Sequence, residues 1–252
     1  MAVDITTLDQ WFNDTLEPHA FQDYCPNGLQ VEGARPVQKL VLGVTASQLF
    51  LDRAVAAGAD AVLVHHGYFW KGEDACIAGM KRRRIKALLD AGVSLWAYHL
   101  PLDAHPTLGN NAQLAARMGW QVEGGLKPGV RPIGNVGQAA EALTAQQLAR
   151  QLHEVLDYKP LHIPGGPERI QRIAWCTGGA QGMIQAAWEA GADAYVTGEI
   201  SEPTVHAAHE LGIHFFAAGH HATERYGVQA LGAEAAKVWG LDVQFIDCPI
   251  PV

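Results

Sequence analysis

The stretch Gly58-Ala-Asp-Ala-Val-Leu-Val-His65-His66-Gly67-Tyr-Phe-Trp70 decides the fold class. Ala61 to Val64 is a short apolar run, which suits a strand buried on both faces, as in a parallel sheet. It ends on two adjacent histidines and a glycine. Ligands of open α/β sheets bind beyond the carboxyl ends of the strands. The pair is therefore a candidate metal or catalytic site, and the competing reading is a capped strand end beside a surface histidine.

Composition narrows the class. The chain has 252 residues, 48% of them hydrophobic, which allows one or two domains with a large core. Twelve histidines stand against four cysteines, and the formal charge is -8. That charge disfavours a general nucleic-acid or anionic-membrane binder without excluding a local basic patch. Cys25, Cys76, Cys176 and Cys248 form no C-x-x-C pair, so reduced cytosolic thiols are expected rather than a disulfide frame or zinc-thiolate knuckle. No basic-then-apolar leader is visible, and no apolar run approaches the roughly 18–20 residues that span a bilayer. A cytoplasmic protein with no membrane partner is expected.

Outward from the central stretch, Thr7-Leu-Asp-Gln10 reads as a capping box. Leu8, Trp11, Phe12 and Leu16 form one helical stripe stopped by Pro18. Asp23 to Gly28 is loop chemistry. Lys39 to Val44 reads as a strand, Thr45-Ala-Ser-Gln48 as a second capping box, and Gly58 as a helix stop. Lys81-Arg-Arg-Arg-Ile-Lys86 falls on a helix, more simply a solvated face than a binding patch. Gly92 to Tyr98 is a further strand, running into His99-Leu-Pro-Leu-Asp103. The stretch Gly124 to Gly137, with Pro128, Gly129 and Pro132, marks a domain boundary. Two α/β units are expected, 1–125 carrying His65, His66, His99 and Asp103, and 126–252 carrying His220 and Glu224, whose last strand returns to the first unit. Gly178-Gly179 follows the strand Ile170 to Cys176. It reads as a tight turn, because the G-x-G-x-x-G and Walker spacings are absent.

The second half repeats the first. Lys39–Val64 aligns without a gap on Arg172–Thr197, placing Gly58-Ala-Asp-Ala61 on Gly191-Ala-Asp-Ala194. Gly92 to Tyr98 corresponds to Gly212 to Ala218, and each strand then delivers His-x-x-x-acid: His99 with Asp103, His220 with Glu224. The second pair lies one helical turn apart. Pro101 argues against a helix for the first pair, which is expected on a loop. The duplication implies two related α/β units. Imidazole and carboxylate without thiolate suit Zn, Mn, Fe or Co. Six donors (His65, His66, His99, Asp103, His220 and Glu224) suit two bridged metals about 3.5–4 Å apart better than one tetrahedral ion. Adjacent strand residues face opposite ways, so both His65 and His66 reach one site only where the strand ends, at Gly67.

Val64-His-His-Gly-Tyr-Phe-Trp-Lys71, His99-Leu-Pro-Leu-Asp103 and Gly219-His-His-Ala-Thr-Glu224 resemble the signature blocks of the NIF-three-like family, also labelled type-2 GTP cyclohydrolase I. Asp23 to Glu32 and Gly43-Val-Thr-Ala-Ser47 extend the resemblance. It implies two interlocked α/β/α units, a homohexameric ring, and two divalent metal ions per subunit (Zn, Fe or Mn) on His65, His66, Asp103, His220 and Glu224. His99 mirrors His220 and would be a proton carrier or an extra ligand. Two functions follow as expectations. One is a dinuclear-metal hydrolase acting on a small molecule, GTP by the family label. The other is a metal-stabilised ring that binds nucleic acid or a protein without turnover, for which Lys81–Lys86 is the one positive feature.

Overall fold

The structure, a computed structural model, describes residues 2–126 and 131–252; Pro128 and Gly129 lie outside the described residues. The chain forms two compact units, Met1–Gly109 with Gly227–Cys248, and Asn110–Tyr226 with Pro249–Val252.

The first unit runs α1 (Ile5–Leu16), β1 (Gly28–Val31), β2 (Lys39–Thr45), α2 (Gln48–Ala56), β3 (Ala61–His66), α3 (Gly79–Ala91), β4 (Ser94–Ala97) and α4 (Leu100–Ala104). The second runs α5 (Asn110–Met118), β5 (Gln121–Gly125), β6 (Asn135–Leu143), α6 (Ala145–Leu156), β7 (Leu161–Ile163), β8 (Ile170–Cys176), α7 (Ile184–Glu189), β9 (Ala194–Thr197), α8 (Glu202–Leu211), β10 (His214–Ala217) and α9 (His220–Thr223). α10 (Arg225–Trp239) and β11 (Asp242–Phe245) complete the chain. β11 pairs in parallel with β2, and α10 packs Val228, Leu231 and Ala235 into a core of the first unit, with Leu8, Phe12, Leu40 and Trp96. β5 pairs with β6, so the expected boundary between residues 125 and 126 falls inside a hairpin of the second unit.

The duplication is explicit in the sheets. The first is ordered β1-β4-β3-β2-β11 and the second β5-β6-β8-β9-β10-β7. In each, three parallel strands (β2-β3-β4 or β8-β9-β10) end on an antiparallel fourth, β1 or β7. The repeated Gly-Ala-Asp-Ala has one physical role in both. Asp60 Oδ2 accepts from the N–H groups of Gln38 and Lys39 at 3.0 and 2.9 Å. Asp193 Oδ2 accepts from Gln171 and Arg172 at 2.9 and 2.8 Å. The aspartate thus closes the start of the neighbouring strand, while Gly58 and Gly191 take φ of +77° and +75° to leave the helix.

Three local expectations are corrected. Asp4, not Thr7, caps α1 through the N–H of Thr6, so the helix starts a turn earlier than the Thr7 box. Ser47, not Thr45, caps α2, because Thr45 remains in the β2 ladder opposite His66. His99-Leu-Pro-Leu-Asp103 is not a loop. Leu100–Ala104 is a short helix with Pro101 in its first turn, where the missing N–H has no intrahelical partner to lose. Both His-x-x-x-acid pairs therefore span short helices, with His99 and His220 at the starts and Asp103 and Glu224 at or near the ends. Among the described residues no helix is long and apolar enough to cross a membrane.

One titratable pair belongs to the sheet edge. His214 Nε2 donates to the Pro167 carbonyl at 2.9 Å, so its Nδ1 accepts from His162 Nε2 at 3.1 Å. Burial first, and His214 second, hold the His162 pKa below the usual imidazole value. Such a group contributes stability that is full above the unfolded value near about 6.5 and is lost as pH falls through the lowered folded value. His162→Gln, which keeps an N–H donor, is expected to lose less stability than the wild type between about pH 7.5 and 5 in urea unfolding. Equal losses would show that His162 carries none of the acid sensitivity.

Candidate metal centre

In the first unit, β3 carries Val64 in register with Ala97 and His66 in register with Thr45. Its last two residues are the histidines. Although the ladder reaches His66, the rings of His65 and His66 converge, with centroids 4.6 Å apart. His99, the cap of α4, stands 5.1 Å from His65 and 5.8 Å from His66. One nitrogen from each of the three lies within 4.8 Å of the others. Gly67 permits the turn out of the strand, since a Cβ there would collide with the Gln30 side chain and Ala97. Phe69 holds a left-handed φ of +66°, and Trp70 beyond it lays its ring 5.1 Å from His99 and 6.0 Å from His66. The indole N–H donates back to the Gly67 carbonyl at 3.2 Å. Trp70 is thus an apolar wall that reading for donors alone does not single out.

The histidines are tethered through Nδ1. His65 Nδ1 lies 2.8 Å from the Tyr98 carbonyl. A carbonyl only accepts, so this nitrogen carries the proton, and in the neutral ring Nε2 carries the lone pair. His65 is fully buried, and its Nε2 faces Asp103 Oδ1 at 3.5 Å. Two electron-rich atoms facing each other in a buried site call for a cation, a metal or a proton. His66 Nδ1 lies 3.0 Å from the Thr45 hydroxyl. His99 Nδ1 lies 2.7 Å from Asp23 Oδ1.

The second unit contributes His220 and Glu224, held together by α9 with Nε2 and Oε2 3.1 Å apart. His220 Nδ1 meets Glu199 Oε1 at 2.7 Å, and the Glu224 side chain is only 3% exposed. Burial by itself would push the His220 pKa down. The hydrogen bonds and charges of Glu224 and Glu199 outweigh it and hold the group at about 9. The Gly178-Gly179 turn makes room for the pair. A Cβ on Gly178, which also has φ of +73°, would fall on Glu224 Oε1. The Gly178 N–H donates to Thr223 Oγ1 at 3.0 Å, fixing the turn against α9. His221 is buried beside His220, and its backbone N–H reaches the Val252 carbonyl at 3.2 Å.

Of the six predicted residues, the structure groups His65, His66, His99 and Asp103 within the first unit, and His220 with Glu224 within the second. Asp23 and Glu199 were not singled out as site residues, although Glu199 sits where the repeat aligns it with His66. Cys25 is buried, and burial followed by the Asp23 charge pushes its thiol up to about 12. It is a thiol and not a ready thiolate ligand.

A model of the family Duf34/NIF3 (NGG1p interacting factor 3) matches residues 3–250. The chain belongs to the Duf34/NIF3 family. A Duf34/NIF3 relative, the GTP cyclohydrolase 1 type 2 homolog of Pseudomonas aeruginosa, is 57% identical over 252 residues, covering 100% of both chains. Among solved Duf34/NIF3-like structures, one described as protein ybgI of unknown function has 52% identity and a TM-score of 0.95, covering 100% of each chain. TTHA1606 from Thermus thermophilus has 33% identity and a TM-score of 0.91, covering 99% of this chain and 100% of that one.

Proposed function

We propose that this chain is a dinuclear-metal-dependent hydrolase of a small molecule, with GTP the first substrate to test. His65, His66, Asp103, His220 and Glu224 are the proposed ligands. The observation that carries the reading is the shared tethering of the histidines. His65, His66 and His220 each have Nδ1 engaged by a carbonyl, a hydroxyl or a carboxylate, the outer arrangement that orients metal-binding imidazoles. The donor set fits hard or borderline divalent cations such as Zn, Fe or Mn, with carboxylates Asp103 and Glu224 supplying the offsetting charge. When bound, two such ions lower the pKa of water enough to supply a nucleophile at neutral pH and polarise the bond it attacks.

The chain's own groups have separate tasks. Tyr98 and Thr45 hold the His65 and His66 rings. His220 must give up its Nε2 proton when that nitrogen becomes a ligand. His99 can take a proton at Nε2 during the reaction, and Trp70 shields its ring from water. The homolog label of the relatives supports attack on a purine ring. The same apparatus suits an amide or a phosphoester. A homohexameric ring in the cytoplasm is the assembly this reading carries.

The basic run gives little support to a nucleic-acid module. Lys81 is paired with Glu73 and the exposed Lys86 with Asp90, Arg84 is half-buried, and Arg82 and Arg83 are exposed on α3. The test is metal analysis of the native protein, then a screen of nucleotide, amide and phosphoester compounds with and without chelator. Chelator-sensitive turnover is expected. Metal-loaded protein that turns over nothing yet binds single-stranded DNA tightly at physiological salt would replace the enzyme reading with the module.

A further inference from the structure

The loop before β1 is built around one carboxylate. Asp23 Oδ1 accepts from the Tyr24 N–H at 2.6 Å and meets His99 Nδ1 at 2.7 Å. Its Oδ2 accepts from Asn27 Nδ2 and from the Leu100 N–H, both at 2.9 Å. A carboxylate offers about four lone-pair sites, and here all four are used. The Asp23 side chain is 3% exposed. Asn27 Oδ1 in turn accepts from the His99 N–H at 2.7 Å. The loop therefore grips His99 by ring and backbone together.

This saturation settles one alternative. Asp23, Cys25 and His99 each place a donor atom within 4.8 Å of the others, which by distance alone could be a separate metal site. Asp23 has no lone pair left to give, Cys25 holds its proton, and the His99 nitrogen on that side is engaged by Asp23. The trio is a clamp, not a cation site.

We propose that Asp23 is the positioning residue of the candidate centre: its fixed carboxylate locks His99 as the Nδ1–H tautomer and commits Nε2 as the nitrogen that binds or takes a proton. This deepens the proposed function and rests on it for its catalytic meaning. The tautomer itself is a property of the metal-free chain. The second unit argues for function over inherited architecture. His220, the counterpart of His99, also has Nδ1 on a carboxylate. Yet Glu199 follows β9 in the chain, whereas Asp23 precedes β1. The two halves reach the same chemistry from unlike positions, which duplication alone does not produce.

Asp23→Asn separates orientation from packing. Each side of the carboxylate meets one backbone donor, Tyr24 or Leu100. Asn27 is held as a donor by its own Oδ1 on the His99 N–H, whereas an imidazole can move its proton to the other nitrogen. The amide oxygen is therefore expected on the side of Leu100 and Asn27. The amide NH2 then faces His99 and drives the imidazole to the Nε2–H form. Asn27→Ala removes the backbone grip but leaves the carboxylate in place, so the tautomer should persist.

The experiment is long-range ¹⁵N–¹H correlation on metal-free, ring-labelled protein at about pH 8.5, above the ordinary imidazole range. The His99 signals are assigned by their loss in His99→Gln. The wild type and Asn27→Ala should show Nδ1–H, and Asp23→Asn should shift to Nε2–H. Affinity for Zn alone should fall about 10–100-fold in Asp23→Asn. A wild-type Nε2–H or doubly protonated ring, or an unchanged tautomer in Asp23→Asn, overturns the proposal. The wild-type spectrum decides even where a variant folds poorly. If the tautomer is as expected but the protein binds no metal, the metal reading fails and the positioning inference stands.

Discussion

Glu224→Ala should purify with both metal positions depleted, whereas His65→Ala or His66→Ala should deplete mainly one. Two like cations held about 3.5–4 Å apart repel, and the site needs anions to offset this. Among the five proposed ligands only Asp103 and Glu224 carry negative charge. A neutral imidazole offers one lone pair, but a carboxylate can touch both ions. The Glu224 carboxylate is buried, paired with His220, and set against a turn that has room only for glycine at 178. Its removal deletes the proposed shared ligand and a buried carboxylate together. Since changing an outer partner already costs about 10–100-fold in metal affinity, a loss of at least ~100-fold is expected for this ligand. Plasma mass spectrometry of metal per chain, with circular dichroism to confirm folding, checks it. Two metals retained in Glu224→Ala, with both lost in His65→Ala, would show that Glu224 is not the shared ligand.

Trp175→Ala should be the most damaging core substitution of the second unit. The indole is fully buried on β8, its ring centroid is 5.0 Å from that of Trp120, and its N–H donates to the Asn111 carbonyl at 3.0 Å. Phe/Trp→Ala changes in cores cost about 3–5 kcal/mol, and the indole hydrogen bond to the Asn111 carbonyl is lost with the ring. Trp188 is the internal control: 45% exposed on α7, it should cost under about 1 kcal/mol when cut to alanine. Chemical denaturation of both variants against wild type tests the contrast. Equal midpoints for the two would mean that the Trp175 pocket collapses or fills, contrary to close packing.

The difference between what the sequence disclosed and what it hid follows range. The Ala61–Val64 run and the Gly-Ala-Asp-Ala repeat are local patterns with one structural solution, so the parallel strands and the duplication were legible. The repeated His-x-x-x-acid was legible for the same reason. Pro101 misled because a proline is disfavoured inside a helix yet tolerated in its first turn, and five residues carry no periodicity to distinguish the cases. Thr7 and Thr45 were eligible caps, but the N-cap is chosen by where the chain leaves the sheet or begins its stripe, which tertiary packing decides. Asp23 escaped notice because its partner is 76 residues away. Nothing in Asp-Tyr-Cys-Pro-Asn distinguishes turn chemistry from a clamp. The signal that could have found it is the resemblance, since the block opening on Asp23 was among those matched.

The central claim is that His65, His66, Asp103, His220 and Glu224 hold one pair of metal ions. Anomalous diffraction at the absorption edge of the bound metal, from crystals of the metal-loaded protein, tests it most directly. The account predicts two peaks per chain, about 3.5–4 Å apart, both coordinated by those five residues with Glu224 touching each. A single peak, or two peaks held by other residues, would contradict it.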